Sequence, residues 1–243
     1  MTAEFTPEGY RELIASVVAR GYEVKSFGDV QAARRHLILR HDIDQCLNSA
    51  ARLAALEAAE GWRASYFVLV RSEMYNPFSP AGVRALRKIC AGGHELGLHL
   101  DAALYGGDAE ALELAAQREC AMLESISGQK ISMISFHRPS PDLIPCDRIL
   151  AGRRNTYESQ FFNEIGYCSD SRGGWHRGSP LGHAALGEGR ALQLLTHAIW
   201  WTGEGTTPEG ILNSFLDRRF SVLETELAAH CAIHTPRHTK ENK

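Results

Sequence analysis

The chain has no long apolar run, no basic stretch and no patterned cysteines. No uninterrupted apolar segment approaches the about 20 residues that a membrane helix needs, so no membrane span is expected. The N-terminus, Met1-Thr2-Ala3-Glu4-Phe5, has neither the basic nor the apolar region of a secretory leader, and the expectation is a cytoplasmic protein. The formal net charge is -3 with no clustered Lys and Arg, which argues against nucleic acid as a partner. Six cysteines stand at positions 46, 90, 120, 146, 168 and 231 without a CxxC, so a thiolate zinc site is not indicated. They read as reduced packing residues. Internal repeats and low-complexity segments are also missing.

What is present suits one ordinary globular domain over residues 1–243: 44% hydrophobic and 23% charged residues in a length at which α/β barrels are common. Pro7 opens an amphipathic helix through Glu8–Arg20, and helices are expected at Leu47–Glu60, from Pro80 to Ala91, and from an Asp108 cap to Ser127, closed by Gly128. A short helix is expected near Tyr157–Glu164 and a long one from Pro208 to Ala229. Strands are expected at His36–Asp42, Ala64–Val70, His94–Leu100, Ile131–Phe136, Tyr167–Ser169 and Ala191–Thr196. This alternation predicts a parallel sheet wrapped by helices, in a barrel that is closed or incomplete, with an open doubly wound sheet as the alternative. Ser171–Gly189, rich in glycine and histidine, reads as a long loop.

Polar groups fall at the strand ends. Asp42 and Asp44 follow the first core strand, and alternation puts both on one side. Two like charges held together need a cation or a shared proton, which suggests a metal site with one carboxylate as ligand and the other as base. The competing reading has Asp44 capping the helix that starts near Leu47. His99 and Asp101 close the next strand. His137 and Arg138 close Ile131–Phe136, Asp170 closes Tyr167–Ser169, and His197 closes Ala191–Thr196. In a parallel sheet all of these ends lie on one face and converge. Alternation turns His41 and His94 the other way, as packed structural residues.

The ordered set Arg40-His41-Asp42-Ile43-Asp44, Gly93-His94-Glu95-Leu96-Gly97-Leu98-His99, Phe136-His137-Arg138-Pro139, Ser169-Asp170-Ser171 with Trp175, and Leu194-Leu195-Thr196-His197 resembles the polysaccharide deacetylase family, the NodB-type carbohydrate esterases. The resemblance spans Leu37 to Trp201. It implies a distorted or incomplete (β/α) barrel and a metal-dependent hydrolase that removes an N-acetyl or other small N-acyl group from an amino sugar in surface polysaccharide biosynthesis. The substrate would be a small molecule or oligosaccharide, nucleotide- or lipid-linked. By the same resemblance Asp42 is the base, Arg138 orients it, Asp44 and His99 bind metal, and His197 is the general acid with Asp170 fixing its orientation. The metal would be Zn²⁺, with Co²⁺, Ni²⁺ or Mn²⁺ as alternatives.

One departure stands out. The family places a second metal-binding histidine four residues after the first, and here that residue is Ala103. His137 is the first candidate for the missing ligand and Asp101 the second. Trp175, Trp200 and Trp201 are candidates for a sugar-stacking wall, with core packing as the rival reading for the last two. Two other functions compete. A non-catalytic carbohydrate-binding protein on the same scaffold is compatible with the missing histidine. A DxD phosphatase of the haloacid dehalogenase type would need a hydroxyl residue where Cys46 stands.

Overall fold

A computed structural model describes residues 5–237. The chain forms two compact units, one up to Thr202 and one from Gly203. The first contains, in order, α1 (Pro7–Val18), β1 (Glu23–Val24), β2 (His36–Ile43), α2 (Leu47–Ala59), β3 (Ser65–Val68), α3 (Pro80–Ala91), β4 (Glu95–Asp101), α4 (Ala109–Ser127), β5 (Met133–His137), β6 (Arg154–Asn155), β7 (Gly166–Ser169), α5 (Ala184–Glu188), β8 (Leu192–Thr196) and α6 (Ala198–Thr202). The second contains α7 (Pro208–His230). Within it, Arg218 pairs with Glu204 at 2.5 Å, and the Arg237 backbone N–H donates to Glu224 at 3.1 Å.

The helix ends follow local chemistry. Proline enters the first turn of α1, α3 and α7, where its missing N–H is harmless, and Thr6, Ser79 and Thr207 accept the orphaned N–H groups. Asp108 Oδ1 accepts from the N–H groups of Glu110 and Ala111, both at 3.0 Å. Gly128, at φ +68°, closes α4 in the left-handed conformation that glycine adopts without strain.

The strands form one parallel sheet in the order β6-β5-β4-β3-β2-β8-β7, with β1 added on β2. Read as a ring, this order interrupts the chain's own succession at one place, between β6 and β7. The architecture is therefore the incomplete barrel expected from the sequence. Its inner face packs Ile38, Phe67, Met133, Phe161 and Ile165 with Phe27. Gly97 lies on that face, where a Cβ would stand 2.4 Å from the Phe67 ring. The outer face of β2, with Leu37, Leu39 and His41, turns toward the helices. There His41 meets Glu57 of α2 at 2.8 Å.

Most expected elements appear with ends shifted by at most two residues. Four elements have no counterpart in the expectation: the two-residue strands β1 and β6, and the five-residue helices α5 and α6. Elements this short carry no readable periodicity. Ser171–Gly189 is not a plain loop, since it contains a tight turn at Pro180–Gly182 and the helix α5. The helix expected near Tyr157–Glu164 is a single wide turn at Gln160–Glu164. All six cysteines are free. No described helix is long and apolar enough to cross a membrane.

Candidate metal and catalytic centre

Inward-facing residues at the C-terminal strand ends build the site. On β2 the inner positions run Ile38, Arg40, Asp42 and on to Asp44, and the last does not cap α2. Cys46 does, its sulfur accepting from the Ser49 N–H at 3.4 Å. Asp44 is therefore free to face His99 and His137. Its Oδ1 lies 3.1 Å from His99 Nε2 and 3.5 Å from His137 Nδ1. Burial alone would raise the Asp44 pKa, but the two histidines hold it well below the usual carboxylate range. His99 and His137 meet edge to face, with ring centroids 5.0 Å apart.

The donor set fits a divalent ion. One ligand atom from each of Asp44, His99 and His137 lies within 4.8 Å of the others. Asp44 Oδ1 is buried and, among the described residues, receives no hydrogen bond. An orphaned acceptor facing two imidazole nitrogens is an O,N,N set of the kind Zn²⁺ takes. Ala103, where the sequence resemblance would put a second histidine, offers no ligand and lies in the tight turn Ala102–Tyr105.

Beneath His99 lies a network that the sequence reading did not assemble. Arg40 Nη2 donates to Ser135 Oγ at 2.7 Å, and Ser135 Oγ donates to Asp42 Oδ2 at 3.1 Å. The remaining lone pair of Ser135 accepts from His99 Nδ1 at 3.0 Å. That accounting places the His99 proton on Nδ1 and leaves Nε2 as the ligand atom.

Arg40 is fully buried. It donates Nε to Asp42 Oδ1 at 3.0 Å and Nη2 to Oδ2 at 2.7 Å. Nη1 reaches Gln193 at 3.1 Å, and the guanidinium lies 4.9 Å from the Tyr157 ring centroid. Burial would raise the Asp42 pKa, but Arg40, followed by His99, holds it below its ordinary value. Arg138, expected to orient Asp42, pairs with a different carboxylate. It is 60% exposed at the side chain and pairs through Nε and Nη2 with Asp101. The reason is geometric: Arg40 shares the inner face of β2 with Asp42, whereas Arg138 lies past the end of β5, where Asp101 of β4 is the near carboxylate.

His197, after β8, donates Nδ1 to Asp170 Oδ1 at 2.7 Å, and its backbone N–H reaches the same carboxylate. The indole N–H of Trp201 holds Asp170 Oδ2 at 2.7 Å. Nε2 of His197 consequently faces Asp44 Oδ2, at 3.7 Å. Burial would lower the His197 pKa, but the Asp170 bond and charge, then Asp44, raise it to about 9.

Trp201 is 1% exposed, so it braces Asp170 and is not part of an open sugar-stacking wall. Trp200 is also buried, and Trp175 is partly so. Among the described residues, their indole N–H groups have no acceptor. His94 is structural, accepting from the Ala64 N–H at 3.2 Å. Arg40, Ser135 and Gln193 were recoverable from alternation, each being a polar residue two or four positions before a strand-end group on the same face.

No protein-family model matches the chain, and no curated protein matches it. Among solved structures, it is similar to a family 4 carbohydrate esterase from Bacillus anthracis, at 13% identity and a TM-score of 0.47, over 87% of this chain and 86% of that one. It is also similar to the peptidoglycan deacetylase PdaC from Bacillus subtilis, at 13% identity and a TM-score of 0.46, over 85% of this chain and 100% of that one. A third similar structure is a CE4 family pseudoenzyme from Bacillus anthracis, at 11% identity and a TM-score of 0.43, over 77% of this chain and 63% of that one.

Proposed function

We propose that the protein is a metal-dependent hydrolase that removes an acetyl or other small acyl group from the nitrogen of an amino sugar. The observation that carries this reading is the meeting of Asp44, His99 and His137 within 4.8 Å, with the Asp170-held His197 beside Asp44. These three residues would hold the ion. When bound, a divalent metal polarises an amide carbonyl and acidifies a water molecule.

The chain's own groups supply the proton transfers. Asp42 is the proton acceptor for the attacking water, and Arg40 keeps it ionised and oriented. His197, held at Nδ1 by Asp170, turns Nε2 inward as the proton donor to the departing nitrogen. The products are a free amine and a small carboxylate. Trp175, the one of the three tryptophans that keeps partial exposure, is the candidate for stacking against a sugar ring. Zn²⁺ is the proposed metal, and an amino sugar carried on a nucleotide or lipid in surface polysaccharide assembly is the proposed substrate.

The test is acetate release from N-acetylglucosamine oligosaccharides and from UDP-N-acetylglucosamine by Zn²⁺-loaded protein, beside a His197→Ala variant. Turnover by the wild type and its loss in the variant, at unchanged metal content, is the expected result. A second reading rests on Ala103: with one family ligand gone, the protein binds carbohydrate without turning it over. Sugar binding with no acetate release from metal-replete protein would favour it.

A further inference from the structure

We infer that Arg138 and Asp101 form a clamp that aims His137 into the metal centre, replacing by backbone geometry the support that the other two histidines obtain from side chains. The inference rests on the metal reading above and extends it to the least supported ligand.

His99 is fixed by Ser135 on Nδ1, and His197 by Asp170 on Nδ1. Among the described residues, no side chain other than Asp44 engages a ring nitrogen of His137. His137 is also the last residue of β5, so one side of it lacks the constraint of the sheet. A metal-binding histidine without a partner on its other nitrogen is free to rotate, which weakens binding.

The next residue has an unusual backbone. Arg138 is at φ +49°, a left-handed conformation that a non-glycine side chain disfavours, and Pro139 restricts it further. Such a conformation persists where the surroundings hold it, and it is a pointer to function when it adjoins a site. Here the holding group is visible. Asp101 lies directly across from His137 in the β4–β5 register and receives both Nε and Nη2 of Arg138. The paired side chains close a loop that runs from β4 through Asp101 and Arg138 back to β5. His137 is the β5 residue at which that loop closes. Its Nδ1 thereby stays 3.5 Å from Asp44 Oδ1. Asp101, the alternative third ligand in the sequence reading, is engaged with Arg138 and acts as the anchor.

The experiment is Zn²⁺ titration by calorimetry on wild type, Arg138→Gly, Arg138→Lys and Asp101→Asn, together with the Co²⁺ absorption spectrum of each. Glycine accepts the left-handed conformation, so Arg138→Gly removes the clamp without adding strain. Loss of the supporting group is expected to weaken Zn²⁺ binding by about 10- to 100-fold in Arg138→Gly and Asp101→Asn, with an altered Co²⁺ spectrum. Arg138→Lys, which keeps charge but not the fork, is expected to fall between them and wild type. Thermal unfolding of the metal-free variants shows whether they remain folded. Wild-type affinity and an unchanged spectrum in both Arg138→Gly and Asp101→Asn would overturn the clamp while leaving the metal reading intact. A wild type that binds neither Zn²⁺ nor Co²⁺ would overturn the metal reading and the clamp with it.

Discussion

Arg40 grips Asp42 from two positions back on the same strand, Nε to Oδ1 at 3.0 Å and Nη2 to Oδ2 at 2.7 Å, with neither residue more than 4% exposed. A buried carboxylate left without its partner is strongly destabilising. Arg40→Met is expected to lower the unfolding free energy by about 3–5 kcal/mol in urea titration. Adding Asp42→Asn is expected to recover part of that loss, because the uncompensated charge is then gone. Arg40→Lys is expected to rescue poorly, since an ammonium cannot reproduce the two parallel bonds. A loss below about 1 kcal/mol on Arg40→Met would show that the pair does not hold the inner face together.

The His197–Asp170 pair makes stability depend on pH. Burial works against the charged imidazole, but Asp170 overcomes it and the folded pKa rises to about 9, against about 6.5 unfolded. The contribution is complete below about pH 6.5, fades as pH rises toward 9, and is absent above that. It amounts to about 3 kcal/mol at most. Metal-free wild type is expected to lose stability across this window, and Asp170→Asn to show a flatter profile. Parallel profiles would refute the linkage.

Glu57 is a fully buried carboxylate on the outer side of the sheet. It receives Tyr10 Oη at 2.5 Å, Tyr66 Oη at 2.5 Å and His41 Nε2 at 2.8 Å. Burial would raise its pKa, but His41, with the two tyrosines, lowers it. The sign is therefore opposite to that of His197: stability is present above the unfolded glutamate pKa near 4.3 and lost as pH falls below it. Glu57→Gln is expected to cost about 3 kcal/mol and Tyr10→Phe about 1 kcal/mol in urea titration. Glu57→Gln unfolding at the wild-type midpoint would show that the charge is not needed.

Gly97 fills a position where a Cβ would stand 2.4 Å from the Phe67 ring and 3.1 Å from the Met133 carbonyl. Gly97→Ala is expected to destabilise by about 1–3 kcal/mol through overpacking. Phe67→Leu in the same chain is expected to relieve part of it, a coupling that a double-mutant cycle reads directly. Additive effects would place the strain at the carbonyl instead.

Much of this architecture is legible in the chain. The Pro7 and Pro80 starts, the Asp108 cap and the Gly128 stop are local chemistry, so they read correctly without tertiary information. Strand alternation put Asp42 and Asp44 on one face and turned His41 and His94 to the other, and parallel connectivity brought His99, His137 and His197 to one end. The two-residue strands and the five-residue helices were not legible, because nothing in so few residues repeats.

The sequence by itself determined the face on which each polar residue lies, since a strand's alternation is a property of the backbone. Which arginine meets which carboxylate was decided only by the tertiary structure. Arg40 and Asp42 share a strand face, while Arg138, past the end of β5, turns through a left-handed residue to Asp101 on the neighbouring strand. Likewise Trp201, a candidate for a sugar-stacking wall or the core in the sequence, became the brace of Asp170 because the turn into α6 folds its indole N–H back onto that carboxylate. The Arg138–Asp101 and Trp201–Asp170 pairings join residues 37 and 31 positions apart, which only the pairing of neighbouring strands brings within hydrogen-bond reach.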